Sequence, residues 1–274
     1  MLSRMGFDAT AEHLIVSTPF LTMSGVDYST GTRKILSRID LTLEHGRIYG
    51  LIGPNGSGKS TLMKIIARQI APVSGTVCVE GRAAAEWGGR AFARNVAYMP
   101  QFAPPTDGMT VRELVSLGRF PWHGTLGRFG KIDRKLVEDA ISRTDLEAFA
   151  DAMVENLSGG ERQRAWIAMM LAQNARCLLL DEPTSALDLA HQASVLSLVQ
   201  SLSRERGLSV VIVLHDINLA ARYCDEIIAL NLSRITAQGT PGTIMQADLL
   251  KTIFGIGMGV FPHPARGEPV SYLL

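Results

Sequence analysis

Gly53-Pro54-Asn55-Gly56-Ser57-Gly58-Lys59-Ser60-Thr61 decides the fold, because it fits G-x-x-x-x-G-K-[ST] between a strand and a helix. The apolar run Ile48-Tyr49-Gly50-Leu51-Ile52 before it reads as a buried strand, and Leu62, Ile65 and Ile66 follow at helical spacing. Glycines let successive backbone N–H groups turn inward on phosphate oxygens. The new helix points the positive end of its dipole at the same anion. Lys59 would reach the β- and γ-phosphates, and the Ser60 hydroxyl would hold Mg2+. The plain alternative is a Gly-rich turn with an incidental lysine; the flanking strand and helix speak against it.

At 274 residues the chain can bury a full core, as one large α/β domain with or without an inserted subdomain. Shares of 46% apolar and 19% charged residues argue against a disordered chain. A net charge of +1, with no Lys/Arg block, argues against nucleic acid as a partner, since that affinity needs a clustered basic footprint. Cys78, Cys177 and Cys224 are far apart, odd in number and set in apolar strings. They read as reduced core residues of a cytosolic protein, not as a disulfide framework or zinc site. The longest apolar runs, such as Val210-Val211-Ile212-Val213-Leu214, are strand-length, and the first dozen residues lack an apolar signal core. Any work at a membrane is therefore expected to go through something else that spans it.

Leu14-Ile15-Val16, Leu21 to Tyr28 and Ile35 to Leu43 are strand-like, and Ser29-Thr30-Gly31 is a turn. They predict a small antiparallel sheet, with Gly75 to Gly81 as an edge hairpin of it. Val96 to Met99 is a further strand, stopped by Pro100 and followed by Gln101. Residues 102–157 read as an inserted helical subdomain. Val111 to Gly118, capped by Thr110, and Ile132 to Thr144 carry helical periodicity. Between them Phe120-Pro121-Trp122-His123-Gly124 reads as an aromatic loop broken by its proline. The second half alternates: helix Arg164 to Leu171, strand Leu178 to Asp181, helix Ala190 to Leu202, strand Ser209 to Leu214, helix Ile217 to Tyr223, strand Ile227 to Leu230. That alternation implies a parallel sheet with right-handed crossovers. A nucleotide-binding core is expected over 14–101 and 158–254. Residues 255–274 form a tail, Pro/Gly-rich from Phe261, whose structure does not follow from its sequence.

Ligands of a parallel sheet bind beyond the carboxyl ends of its strands. The phosphate loop, Asp181-Glu182 and His215 each stand at such an end. Asp181 would anchor the Mg2+ shell, and Glu182 would orient or polarise the water that attacks the γ-phosphate. An acidic turn after a strand is common by itself; the phosphate loop gives this pair its meaning. Leu157-Ser158-Gly159-Gly160-Glu161-Arg162-Gln163 starts a helix, with Ser158 as N-cap and Glu161 three residues on. Its two glycines also leave N–H groups open to a second anion. Asp216 reads as a helix N-cap rather than as half of a metal pair with His215.

The ordered set G-x-x-x-x-G-K-S, Gln101, Leu-Ser-Gly-Gly-Glu-Arg-Gln, Asp181-Glu182 and His215 resembles the nucleotide-binding subunit of ATP-binding-cassette (ABC) transporters over nearly the whole chain. The resemblance implies an α/β P-loop NTPase with a parallel sheet, an N-terminal antiparallel β-subdomain and an inserted helical subdomain, acting as a Mg2+-dependent ATPase. It puts Tyr28 where an aromatic stacks on adenine, although a strand-core tyrosine explains that residue nearly as well. It makes Gln101 the sensor of Mg2+ and γ-phosphate that relays to the helical subdomain, and His215 the holder of the γ-phosphate beside Glu182. Ser185-Ala186-Leu187-Asp188 resembles the loop that contacts a partner subunit. A homodimer is implied, with ATP between the phosphate loop of one subunit and Ser158, Gly159 and Gly160 of the other. ATP binding closes it and hydrolysis opens it, and the work is done on integral membrane permease subunits.

A closer resemblance is to the ATPase of bacterial ferric-siderophore importers, carried by Met99-Pro100-Gln101, Gly108 to Val115 and Gly118 to Trp122. Trp122 to Gly130 and Pro262-His263-Pro264 look most like the ferric hydroxamate member. That implies a periplasmic or lipoprotein siderophore-binding protein and a place on the cytoplasmic face of the inner membrane. Vitamin B12, haem and catecholate siderophores stay open as substrates. Phe120 to His123 either lines the dock for a membrane subunit or packs Trp122 inside the helical subdomain. A soluble cassette ATPase of translation or DNA repair usually has two cassettes or a long coiled-coil insertion. This chain has one set of motifs and no sustained heptads.

Overall fold

The computed structural model describes residues 18–124, 127–185 and 187–274. The chain opens with β1 (Leu21–Thr30), β2 (Arg33–Leu43) and β3 (Ile48–Ile52), and the phosphate loop leads from β3 into α1 (Lys59–Ile66). β4 (Ser74–Val79), β5 (Arg82–Ala83), α2 (Gly89–Ala93) and β6 (Val96–Met99) follow. Then come α3 (Val111–Leu117), α4 (Phe120–His123), α5 (Lys131–Arg143) and α6 (Gly159–Gln173). Strand and helix alternate through β7 (Cys177–Leu180), α7 (Leu189–Arg206), β8 (Ser209–Val213), α8 (Ile217–Tyr223) and β9 (Glu226–Asn231). The chain closes with β10 (Arg234–Gly239), α9 (Pro241–Ile244), α10 (Ala247–Phe254) and a hairpin of β11 (Met258–Pro262) and β12 (Pro269–Leu273).

Two sheets form the body. The smaller is antiparallel in order β2-β1-β4-β5. The larger runs β10-β9-β3-β8-β7-β6, parallel throughout except for β10, which is antiparallel to β9. β3, β7 and β8 are buried along their whole length, as strands covered on both faces are. The period of two divides them between separate cores. Ile48, Ile52, Leu178, Leu180, Val210 and Ile212 pack with apolar residues of α3, α5 and α6 on one face. Tyr49, Leu51, Cys177, Leu179, Val211 and Val213 pack with α1 and the smaller sheet on the other. Because β3, β8, β7 and β6 are neighbours, the four loops that leave their carboxyl ends lie side by side.

One sequence expectation is corrected. Phe120 to His123 is a helical turn, α4, with Pro121 in its first turn, where a missing N–H costs nothing. Arg119 leads into it, donating from Nε to Asp133 at 2.9 Å and from Nη1 to the Ala172 carbonyl at 2.7 Å. Trp122 donates its indole N–H to the Gln173 carbonyl, with the Arg94 and Arg119 guanidiniums over its ring. Trp122 is thus held against α6, while Phe120 stands half exposed. The tail is not structureless: its β11–β12 hairpin is fully paired. Leu14-Ile15-Val16, Thr125, Leu126 and Ala186 lie outside the described residues.

Candidate active site

The phosphate loop is shaped by three glycines at positive φ: Gly53 (143°), Gly56 (77°) and Gly58 (108°). Space enforces two of them. A Cβ on Gly53 would lie 1.9 Å from the Leu230 carbonyl oxygen, and one on Gly58 would lie 2.9 Å from that of Ile35. Any side chain there would break the loop's seat between the two sheets. Within the loop Ser57 donates its backbone N–H to the Pro54 carbonyl. Asn55 and Gly56 form the exposed tip, and Thr61 sits half-buried in α1. The Ser57 hydroxyl is buried without a hydrogen-bond partner, an orphaned polar atom inside the cradle.

Lys59 is 6% exposed, and its ammonium donates to the carbonyls of Gly53 at 2.9 Å and Pro54 at 3.1 Å. Burial depresses its pKa, and Glu182 and Asp181 pull it back up. An anion seated in the loop would replace two weak carbonyl partners with charged oxygens.

Asp181 follows β7 and is 1% exposed. Its Oδ1 accepts from the Ser60 hydroxyl at 3.2 Å and its Oδ2 from the Tyr98 hydroxyl at 3.3 Å. Burial drives the Asp181 carboxyl above the usual carboxylate range; the Ser60 bond opposes this, and Glu182 adds to it. A hydroxyl and a buried carboxylate side by side make a hard-oxygen pair that suits Mg2+. Burial, and the charge of Asp181, push the Tyr98 phenol far up, so it stays a donor.

Glu182 is the meeting point. Its Oε2 accepts from Gln101 Nε2 at 2.6 Å and lies 2.8 Å from His215 Nε2. Gln101 follows β6, Glu182 follows β7 and His215 follows β8, so three adjacent strand ends converge on one carboxylate. Glu182 has φ 53°, a left-handed conformation that costs a non-glycine residue about 1 kcal/mol.

Ser158 is exposed and caps α6 through a full capping box with Glu161. Gly159 is exposed beside it, and Gly160 is buried with the His191 ring so close that a Cβ would meet it at 2.5 Å. Asp188 is exposed, caps α7 and binds His191 Nδ1 at 2.8 Å. His191 therefore links Asp188 to the glycines of α6. Tyr28 lies away from the acidic cluster in sequence, pairs with Leu36 in the smaller sheet and packs half-buried against that sheet's core. Asp216 caps α8 through the N–H groups of Asn218 and Leu219.

Tyr98 and His191 were missed from sequence. A phenol in a strand beside one that ends in Asp is the only signal for Tyr98, and it has force only once β6 is known to neighbour β7. His191 carries a local signal, three residues after the capping Asp188.

A family model described as ABC transporter matches residues 36–185. The chain is 42% identical over 239 residues to the achromobactin transport ATP-binding protein of Dickeya dadantii, covering 87% of this chain and 89% of that protein. It is 40% identical over 246 residues to the iron(3+)-hydroxamate import ATP-binding protein of Bacillus subtilis, covering 90% and 91%. It is 42% identical over 255 residues to the hemin import ATP-binding protein of Pseudomonas entomophila, covering 91% and 98%. Among solved structures, a dimeric ATP-binding cassette with ADP and Pi in a post-hydrolysis state superposes with a TM-score of 0.70 at 29% identity, over 80% of this chain and 98% of that one.

Proposed function

The chain belongs to the ABC transporter family and is an ATP hydrolase, and on that premise we propose that it energises bacterial uptake of an iron–siderophore, a ferric hydroxamate first of all. The observation that carries the catalytic half is the convergence of Gln101, Glu182 and His215 beside Ser60 and Asp181. The substrate half is supported by relatives named for achromobactin, hydroxamate, enterobactin and petrobactin transport. The resemblance of Trp122 to Gly130 to the hydroxamate member narrows it. A relative named for hemin import, matched over 98% of its length, keeps haem as the second reading.

Backbone N–H groups of the loop from Gly53 to Thr61, other than Pro54, which has none, bind the phosphates, and Lys59 moves from its two carbonyls to the β- and γ-oxygens. Ser60 and Asp181 would hold Mg2+, which when bound would neutralise charge on the phosphate oxygens. Tyr98 fixes Asp181 by its second oxygen. Glu182 takes a proton from the attacking water as the water oxygen bonds to the γ-phosphorus and the bond from the γ-phosphorus to the β–γ bridging oxygen breaks, leaving ADP and inorganic phosphate. Gln101 and His215 hold Glu182 in line and contact the γ-phosphate. Tyr28 stacks on the adenine.

Ser158, Gly159, Gly160 and Asp188 meet the nucleotide held by a second copy. The closed homodimer pulls on integral membrane permease subunits at the cytoplasmic face of the inner membrane. A periplasmic or lipoprotein binding protein delivers the siderophore. Among the described residues no helix is long and apolar enough to cross a membrane.

Glu182→Gln tests this core: it binds ATP, turns over at under 1% of the wild-type rate, and accumulates as an ATP-bound dimer in size-exclusion chromatography. Normal hydrolysis by that variant overturns the assignment. Uptake of radioiron as ferric hydroxamate, catecholate or haem in a strain lacking the gene separates the substrates.

A further inference from the structure

His215 is nearly half exposed, and among the described residues its imidazole has one charged partner, Glu182. A ring so little enclosed takes its direction largely from its backbone. On the amino side, Leu214 is buried and donates its N–H to the Leu51 carbonyl at 3.2 Å. On the carboxyl side, Asp216 opens α8, so the first turn of α8 sets the direction in which His215 leaves the chain.

That turn is gripped from outside. Asn218 does not spend its side chain on the cap. Its Nδ2 donates to the Ser271 carbonyl at 3.1 Å. Its Oδ1 accepts from the Ser271 N–H at 2.8 Å and from the Ser271 hydroxyl at 3.0 Å. Ser271 lies in β12, which pairs with β11 alone among the described strands. Its outer N–H and C=O therefore need partners. The Asn218 amide supplies one acceptor and one donor, as a neighbouring strand would. Ser271 is 6% exposed, so losing this partner would strand buried polar groups.

We propose that Asn218 and Ser271 clamp the C-terminal hairpin to α8 and thereby position His215, making Asn218 a positioning residue for hydrolysis. The inference rests on the proposed role of His215. It assigns a task to the hairpin, which lies beyond the stretch matched by the family model.

The experiment compares steady-state MgATP hydrolysis by the full chain carrying Asn218→Ala, Ser271→Ala, His215→Ala and the double change, each well below its melting temperature. Asn218→Ala, which removes all three bonds, should lower kcat about tenfold with KM for ATP within about twofold. Ser271→Ala, which removes only the hydroxyl bond, should lower kcat about twofold. Adding Asn218→Ala to His215→Ala should cost nothing further, because the two act through one group. The His215 ring proton resonance should move in Asn218→Ala.

Wild-type kcat in Asn218→Ala, with His215→Ala impaired, overturns the clamp alone. An equal loss from Asn218→Ala with and without His215 also overturns it, since the damage would then be general. Wild-type kcat in His215→Ala overturns the role of His215 and the clamp with it.

Discussion

Tyr49 is 1% exposed in the core of β3, and its hydroxyl accepts from the Glu44 N–H at 2.7 Å. Burial raises its pKa from 10.0 to about 12. The unfolded chain therefore loses this proton first, and the stability it contributes is present below pH 10 and drains away as the pH rises to about 12. Tyr49→Phe cannot ionise, but it lacks the bond to Glu44. Its deficit of about 1 kcal/mol near neutral pH should shrink as the pH rises through that window, in thermal melts of the two proteins. Among the candidate site residues, Lys59, Ser60, Asp181 and Glu182 stand out in sequence because a lysine and a hydroxyl close the glycine loop and two acids end an apolar strand. Tyr98 does not, since its bond to Asp181 depends on β6 lying beside β7.

Elements were readable where their ends carry local chemistry. Thr110, Ser158 and Asp216 were recognised as caps from type and spacing, and each accepts a backbone N–H at its helix start. α4 was misread because a proline in a first turn and a proline that breaks a helix look alike in sequence. β11 and β12 went unread because their pairing is set by the fold around α8 and α10, not by their own composition. The tie between α4 and α5 yields the prediction at this scale. Arg119 and Asp133 are 4% and 13% exposed and 2.9 Å apart. Burial alone would raise the Asp133 carboxyl, yet the Gly130 N–H and Arg119 hold it low. Arg119→Ala leaves that carboxylate without its counter-charge, held by the Gly130 N–H alone, and frees the Ala172 carbonyl, so it should cost about 3 kcal/mol in a denaturant melt. A loss under about 1 kcal/mol would mean that water replaces the guanidinium without difficulty.

The alternation of strand and helix announced a parallel sheet, but not the order β10-β9-β3-β8-β7-β6 that makes neighbours of the four loops. Strand order is decided by long-range packing on two faces, which no short window of sequence contains. The exposed position of Ser158 makes association testable. Ser158→Ala should lose about 1 kcal/mol of stability from the cap. It should bind nucleotide in the single chain as tightly as wild type, and fail to form the ATP-driven dimer in light scattering. Dimerisation at wild-type ATP concentrations would place the contact elsewhere. The backbone at Glu182 has one more consequence. A left-handed turn is occupied there by a residue that resists it, so glycine at 182 would relax the chain while removing the carboxylate proposed above as the proton acceptor. A laboratory selection that rewarded nothing but survival of heating would drift toward glycine at that spot, and the hardiest clones would also be the idle ones.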